Sequence, residues 1–207
     1  MKKKLDPTLA TYNRVAESYR KTNDYHLYWQ NEFVIFNKFT HGRKVIDIGC
    51  GVGRDAKLFL RHHYNYLGTD ASKGMLAVAR KHAPKGKFIL KSYYDLNFTP
   101  RTFDGFWAVA SLLHVPKRRV GKVLQSLRTI LKDDGVGFIS LKKKTSVDEA
   151  VVKEGRYGGS ERFFAYYTKK EFTRMLEKNG FRVVRAYQKK RPKDSRVQWL
   201  CYFVKKA

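Results

Sequence analysis

Ten residues constrain this chain more than any others: Val45-Ile-Asp-Ile-Gly-Cys-Gly-Val-Gly-Arg54. A short apolar run, Lys44–Ile48, reads as a buried strand. Three glycines at alternate positions then allow a tight turn and let backbone approach a ligand without Cβ obstruction. Asp55 to His63 carries a helical pattern, so the turn feeds a helix N-terminus. Dinucleotide-binding dehydrogenases space their glycines G-x-G-x-x-G. Here the spacing is Gly49-x-Gly51-x-Gly53, with an acid two residues before the first glycine, which disfavours a dinucleotide.

The rest of the chain alternates strand and helix. Residues Asp6 to Phe39 are expected to be mostly helical, with an aromatic-rich middle at Tyr25–Trp29. Strands are expected at Tyr64–Gly68, Lys87–Leu90, Phe103–Ala110 and Val136–Leu141. Ser72 caps a helix running to about His82. Pro116 opens another, in which Val120, Val123, Leu124, Leu127 and Leu131 recur at helical spacing and which Asp133-Asp134-Gly135 ends. Ser146–Ser160, polar and carrying Gly155, Gly158 and Gly159, reads as a mobile loop. Thr168 caps a last helix, which Asn179-Gly180 stops. Phe181–Tyr187 and Val197–Val204 close the chain, and the short Gln188–Arg196 between them requires an antiparallel pairing. The resulting expectation is an α/β, doubly wound, mostly parallel seven-stranded sheet with an antiparallel terminal strand and helices on both faces. Such sheets bind ligands at strand carboxyl ends where strand order reverses. That places the site at Gly49–Gly53, Asp70, Ser92–Asp95 and Ala110–His114.

Asp70 ends the second strand about twenty residues after the glycines. A carboxylate there is suited to the two hydroxyls of a ribose, and its alternative is a helix N-terminal charge beside Ser72. His114 lies just past the fourth strand. It is a candidate general base, or else a histidine that bonds a loop carbonyl and shapes the pocket. The aromatic segment Arg162–Tyr167 either lines an acceptor pocket or packs under the last helix. Tyr25, Tyr28 and Trp29 either stack on a base or wall a small-molecule pocket, or else pack within a helical lid.

Three motifs together, Asp47–Gly53, Gly68-Thr-Asp-Ala-Ser72 and Phe103–Val115, resemble those of the Class I S-adenosylmethionine-dependent methyltransferases. The last, with Ala-Ser-Leu-Leu-His-Val115, is similar to one bacterial and archaeal branch of that family. The likeness runs from Tyr12-Asn-x-x-Ala16-x-x-Tyr19 to Phe163-Phe-Ala-Tyr-Tyr-Thr-x-x-Glu171-Phe. It implies a Rossmann-like fold, one methyltransferase domain over residues 1–207 with 1–40 as a helical lid, and S-adenosyl-L-methionine as cofactor. By the resemblance, Gly49, Gly51 and Gly53 cradle the methionine part, while Asp47 fixes the loop and the amino group. Arg54 pairs with the carboxylate and Ala110 offers its carbonyl to the ammonium. Asp70, with Ala71 beside it, holds the ribose, Met75 packs on adenine, and Tyr12 and Tyr19 close over the cofactor. Many relatives have an acid after the third strand that accepts from the adenine amino group. Here Ser92 occupies that place, which leaves Ser92, the Tyr93 amide and Asp95 as candidates.

The 207 residues carry 44 Lys and Arg against 18 Asp and Glu, a formal charge of +26, which would attract a polyanion. The plainer reading is a solvated basic surface. Two widely spaced cysteines, Cys50 and Cys201, give neither a zinc pattern nor a disulfide framework. No apolar run approaches the ~20 residues of a bilayer span, and no apolar h-region follows the basic start. A cytoplasmic protein, monomer or homodimer, without a metal is therefore expected. Methyl transfer to a small-molecule acceptor leads the functional expectations. A tRNA or rRNA acceptor is the first alternative, and a non-catalytic nucleotide- or RNA-binding protein the second.

Overall fold

The computed structural model describes residues 6–23, 28–155, 158–191 and 194–207, so Tyr25 lies outside it. Its elements, in chain order, are α1 (Pro7–Asn23), α2 (Gln30–Phe39), β1 (Lys44–Ile48), α3 (Ala56–Arg61), β2 (Asn65–Asp70), α4 (Lys73–His82), β3 (Lys87–Leu90) and β4 (Phe103–Val109). After a 3₁₀ turn at Leu112–His114 come α5 (Lys117–Ile130), β5 (Leu131–Lys142), β6 (Glu149–Glu154), β7 (Ser160–Ala165), α6 (Lys169–Lys178), β8 (Phe181–Arg191) and β9 (Asp194–Lys206).

Seven strands form one sheet in the order β3-β2-β1-β4-β5-β9-β8. The first five are parallel, and β9 runs antiparallel to both β5 and β8. From β1 the chain moves outward through β2 and β3, then returns to add β4 on the other side. Strand order therefore reverses between β1 and β4, and a crevice opens at their carboxyl ends.

Alternation along the central strands explains the two-sided core. On β4, Phe106 and Ala108 face α5 and α6 with Leu124, Leu127, Phe172 and Leu176. Trp107 and Val109 face the other way, into an aromatic cluster with Phe33, Phe36, Phe59, Phe138 and Phe203. Trp107 and Phe138 have ring centroids 4.4 Å apart, and Phe36 and Phe59 meet Trp107 edge-on at 5.4 and 5.5 Å. Edge-on and offset pairs of this kind add to the burial of each ring. Trp29 belongs to this cluster, against Phe138 and Trp199, so its aromatic ring serves packing.

Three expectations need correction. The segment Ser146–Ser160 is not simply a loop: Glu149–Glu154 pairs antiparallel with Ser160–Ala165, making a second, two-stranded sheet. Its alternating Ala150, Val152 and Phe164 were obscured by the flanking glycines and charges. Asp133-Asp134-Gly135 falls inside β5, where pairing with β4 jumps from Phe103↔Leu131 to Gly105↔Val136. An irregularity within a ladder looks like a turn when read locally. Gln188–Arg196 is no separate link either, because β8 and β9 continue to Arg191 and from Asp194.

The segment expected to cover the site divides in two. Only α1 reaches the crevice, while α2 packs on the sheet through Phe33 and Phe36. Glu32 of α2 is 2% exposed and accepts from Tyr187 Oη (2.7 Å) and Lys189 Nζ (2.6 Å) on β8. Breaking a buried pair from one side strands the other charge. Glu32→Ala is therefore expected to cost about 3 kcal/mol, read from the shift of the urea unfolding midpoint, and Glu32→Gln clearly less.

Candidate active site

The loop after β1 is held from beneath by β2. Both Gly49 and Cys50 donate their amides to the Thr69 carbonyl, at 2.8 and 2.9 Å. Gly49, Gly51 and Gly53 have φ of 70°, 54° and 73°, the left-handed region that L side chains rarely enter. At Gly51 a Cβ would meet nothing within 4 Å, so bare backbone faces open space. That space is a cavity of about 250 Å³ between the ends of β1, β2 and β4 and the inner side of α1.

Asp70 is the carboxylate at the strand end of this cavity. Its two oxygens accept from the Gly51 amide (2.9 Å) and the Ser72 amide (2.8 Å). Burial pushes its pKa up, and the amides of Ser72, Gly51 and Ala71 oppose that shift. A carboxylate has about four lone-pair directions, so an aligned acceptor remains for a ligand. Ser72 caps α4 by accepting from the Met75 amide at 3.1 Å. Asn13 of α1 accepts from Ser72 Oγ (2.8 Å) and from the Gly74 amide (3.1 Å). A Cβ on Gly74 would lie 2.4 Å from the Asn13 carbonyl oxygen, so glycine lets α1 dock this closely.

Arg54 donates to both oxygens of Asp55 at 2.7 Å, and the Trp107 indole N–H donates to the same carboxylate at 2.9 Å. Asp55 precedes α3, yet its side chain makes no cap bond. It joins the aromatic core to the loop instead. Asp47 lies beneath the loop, 3% exposed, and accepts from Tyr66 Oη at 2.8 Å. Burial, reinforced by the nearby Asp55 charge, holds its pKa well above the usual carboxylate range.

On the opposite wall His114 is buried, with both ring nitrogens engaged. Nδ1 lies 2.6 Å from the Phe163 carbonyl and Nε2 lies 2.8 Å from Tyr12 Oη. A carbonyl only accepts, so Nδ1 carries the proton and Tyr12 donates to Nε2. Burial pushes the His114 pKa down to about 3. The bond to Phe163 opposes that shift, and the charges of Arg162 and Lys142 add to it.

Of the residues singled out from sequence, Tyr12, Tyr19, Gly49, Gly51, Arg54, Asp70, Ala71, Met75, Ser92, Tyr93, Ala110 and His114 all line this cavity. Tyr12 and Tyr19 meet edge-on at 5.7 Å. Ala110 has φ of 52°, a strained conformation for a residue with a Cβ, at the end of β4. Three residues do not line the cavity. Asp47 lies below the loop, Gly53 faces Ala79 and Phe88, and Asp95 is 61% exposed and paired with Lys91 at 3.3 Å. Of the adenine candidates after β3, Ser92 and Tyr93 therefore remain at the cavity. Residues the sequence did not single out also line it, among them Asp6, Thr8, Leu9 and Asn23. The spacing of Thr8 and Tyr12 on one helix face was the available signal.

Residues 45–135 match the family model of a methyltransferase domain. The fold is that of the Class I methyltransferases. A solved methyltransferase fold, that of Burkholderia thailandensis 1,6-didemethyltoxoflavin-N1-methyltransferase with bound 1,6-didemethyltoxoflavin and S-adenosylhomocysteine, superposes with a TM-score of 0.74. The two share 19% identity over 96% of this chain and 88% of that one. Among curated methyltransferases, demethylmenaquinone methyltransferase of Thermotoga maritima is 30% identical over 131 residues, 60% of this chain and 56% of that protein. Ubiquinone biosynthesis O-methyltransferase of Actinobacillus pleuropneumoniae is 32% identical over 113 residues, 50% of this chain and 47% of that protein. The chain thus spans about half the length of these curated relatives. Residues 45–135 are thus similar to a methyltransferase domain, carried on a methyltransferase fold.

Three outcomes follow from the site's electrostatics. A histidine held neutral to about pH 3 takes its proton only in the unfolded chain between about pH 6.5 and 3, so its contribution falls as pH falls through that window. The stability advantage of wild type over His114→Asn, from urea unfolding, should narrow by about 2 kcal/mol between pH 6.5 and 4.5. Asp47→Asn should cost less than Asp55→Asn in urea unfolding, because burial already disfavours the charged form of Asp47. Asp55→Asn should cost about 2–3 kcal/mol, because it breaks the pair with Arg54.

Proposed function

We propose that this chain is an S-adenosylmethionine-dependent methyltransferase acting on a small-molecule acceptor. The observation that carries the reading is the Asp70 carboxylate, fixed by the Gly51 and Ser72 amides at the edge of a cavity floored by bare glycine backbone. A nucleoside fits this arrangement, because its ribose offers two hydroxyl donors to one acceptor-only group. Met75 and Tyr93 give apolar surface for the base. The loop after β1, with Arg54 and the Ala110 carbonyl, would meet the amino acid end. S-adenosylmethionine would supply an electrophilic methyl on a sulfonium. The protein's task is then to align the acceptor and exclude water.

The named relatives support a small acceptor: a demethylmenaquinone, a step of ubiquinone biosynthesis, and 1,6-didemethyltoxoflavin. His114 is read as a pocket-shaping residue and not as the base that meets the acceptor. Both its nitrogens are already bonded.

One observation favours a second reading, an RNA acceptor. Tyr94 lines the cavity, is 38% exposed, and carries the Arg119 guanidinium 3.7 Å above its ring. An exposed aromatic under a cation on a +26 chain suits a stacked base beside a phosphate.

Calorimetric titration with S-adenosylhomocysteine tests the cofactor, with NAD as control. Micromolar binding that Asp70→Ala weakens at least tenfold, with no binding of NAD, is the expected result. A folded wild type that binds neither would overturn it. For the acceptor, tRNA binding that falls steeply between 50 and 200 mM salt, and that Tyr94→Ala weakens, would replace the small molecule with RNA.

A further inference from the structure

We propose that Arg162 is a positioning residue of this site: from the β6–β7 hairpin it holds Tyr12, and with it the edge of α1, closed over the cavity. The proposal rests on reading that cavity as the S-adenosylmethionine site.

The hairpin is not part of the seven-stranded sheet, and its second strand lies along α1. Among the described residues, four hydrogen bonds join them. The Phe163 amide donates to Thr8 Oγ1 at 2.9 Å, and Thr11 Oγ1 donates to the Glu161 carbonyl at 2.8 Å. Arg14 bonds Ser160, and Arg162 Nη1 donates to Tyr12 Oη at 2.6 Å. Thr8, Thr11 and Val15 are all buried, at the spacing of one helical face. Two of these contacts use hairpin backbone and tolerate most side chains there. The contact from Arg162 depends on its side chain, and it alone ends on a residue whose ring lines the cavity.

Burying a guanidinium is costly, and among the described residues Arg162, 4% exposed, is the only buried Lys or Arg. Its charge lies 5.3 Å from the Tyr12 ring centroid and 5.0 Å from that of Phe164. The direction of each hydrogen bond here is determined. The Phe163 carbonyl takes the Nδ1 proton of His114, and Nε2 then accepts from Tyr12. The Tyr12 oxygen, having given its proton, accepts from Arg162. The chain of bonds runs Arg162 to Tyr12 to His114 to Phe163, so it starts and ends on neighbouring residues of one strand. Such a directed circuit polarises each member and holds the Tyr12 ring in one orientation. The bonds of Asn13 to Ser72 and Gly74 anchor α1 to α4 independently. Loss of Arg162 should therefore free the Tyr12 edge without releasing the helix.

The test combines hydrogen exchange of the ligand-free protein with release of S-adenosylhomocysteine, for Arg162→Met, Arg162→Lys, Tyr12→Phe and the double variant. Arg162→Met should speed amide exchange in α1 about tenfold, leave β1 and β4 unchanged, and speed ligand release about tenfold. Tyr12→Phe, which removes one oxygen and should fold normally, should do the same. The double variant should be no worse than Tyr12→Phe alone, since that variant already removes the bond from Arg162 as well as the one to His114. Arg162→Lys, retaining charge and a donor, should recover release to within about threefold of wild type. Unchanged exchange in α1, faster exchange through β1 and β4 as well, or effects that multiply in the double variant would each overturn the proposal. Should wild type not bind S-adenosylhomocysteine, the cofactor reading fails, and α1 exchange alone still decides whether Arg162 holds the lid.

Discussion

One carboxylate joins the core of this protein to its site. Asp55 receives the two-pronged guanidinium of Arg54 from the glycine loop and the indole N–H of Trp107 from the centre of the aromatic cluster. Packing of Trp107 against Phe36, Phe59 and Phe138 sets where that N–H points, so the rigidity of the core passes to Arg54 through one shared acceptor. The desolvation cost of Asp55 is offset by three donors, and charge-assisted bonds of this kind are the strong ones. The loop then needs only the Thr69 carbonyl beneath it and positive φ at its glycines to present backbone to the cavity.

The two walls of the cavity are built by different physics. Below, Asp70 is tied to backbone amides that belong to the glycine loop and to the start of α4, so it can hardly move. Above, α1 rests on α4 through Asn13 and on the β6–β7 hairpin through Thr8, Thr11 and Tyr12. The hydrogen bonds described there come from Thr8, Thr11, Tyr12, Asn13 and Arg14, beside the apolar packing of Ala16 on Met75 and Val78. A wall held by a small number of hydrogen bonds is the kind of element that opens locally at less than the global unfolding free energy. A rigid floor and a fastened lid suit a ligand that must enter, be shielded from water, and leave.

Acidic residues are scarce, and many of those described are engaged with cations. Lys117 bridges Asp148 and Glu171, Lys132 meets Asp104, and Lys206 and Arg101 share Asp133. Exposed pairs of this sort add little stability each. The excess cations therefore give the molecule a field, felt by any anion that approaches, more than they give it structure.

Much of the site could be read directly from the chain. A strand, three alternating glycines and an acid at the end of the next strand impose local conformations that few folds accommodate, and those segments converge at the reversal in strand order. Helix caps at Ser72 and Thr168 were equally legible, because capping is decided within four residues. The sequence did not reveal what depends on partners distant along the chain. The pairing of Glu149–Glu154 with Ser160–Ala165 was hidden by glycines. The side chain of Asp55 turned from a cap to an indole 52 residues away, and Asp95 turned outward to Lys91. Arg162 opened a segment that could line a pocket or pack under the last helix, and it is a buried cation facing a tyrosine 150 residues earlier. Backbone conformation follows from neighbours in sequence, whereas the partner of a buried polar group is decided only when packing removes water and leaves one donor or acceptor within reach.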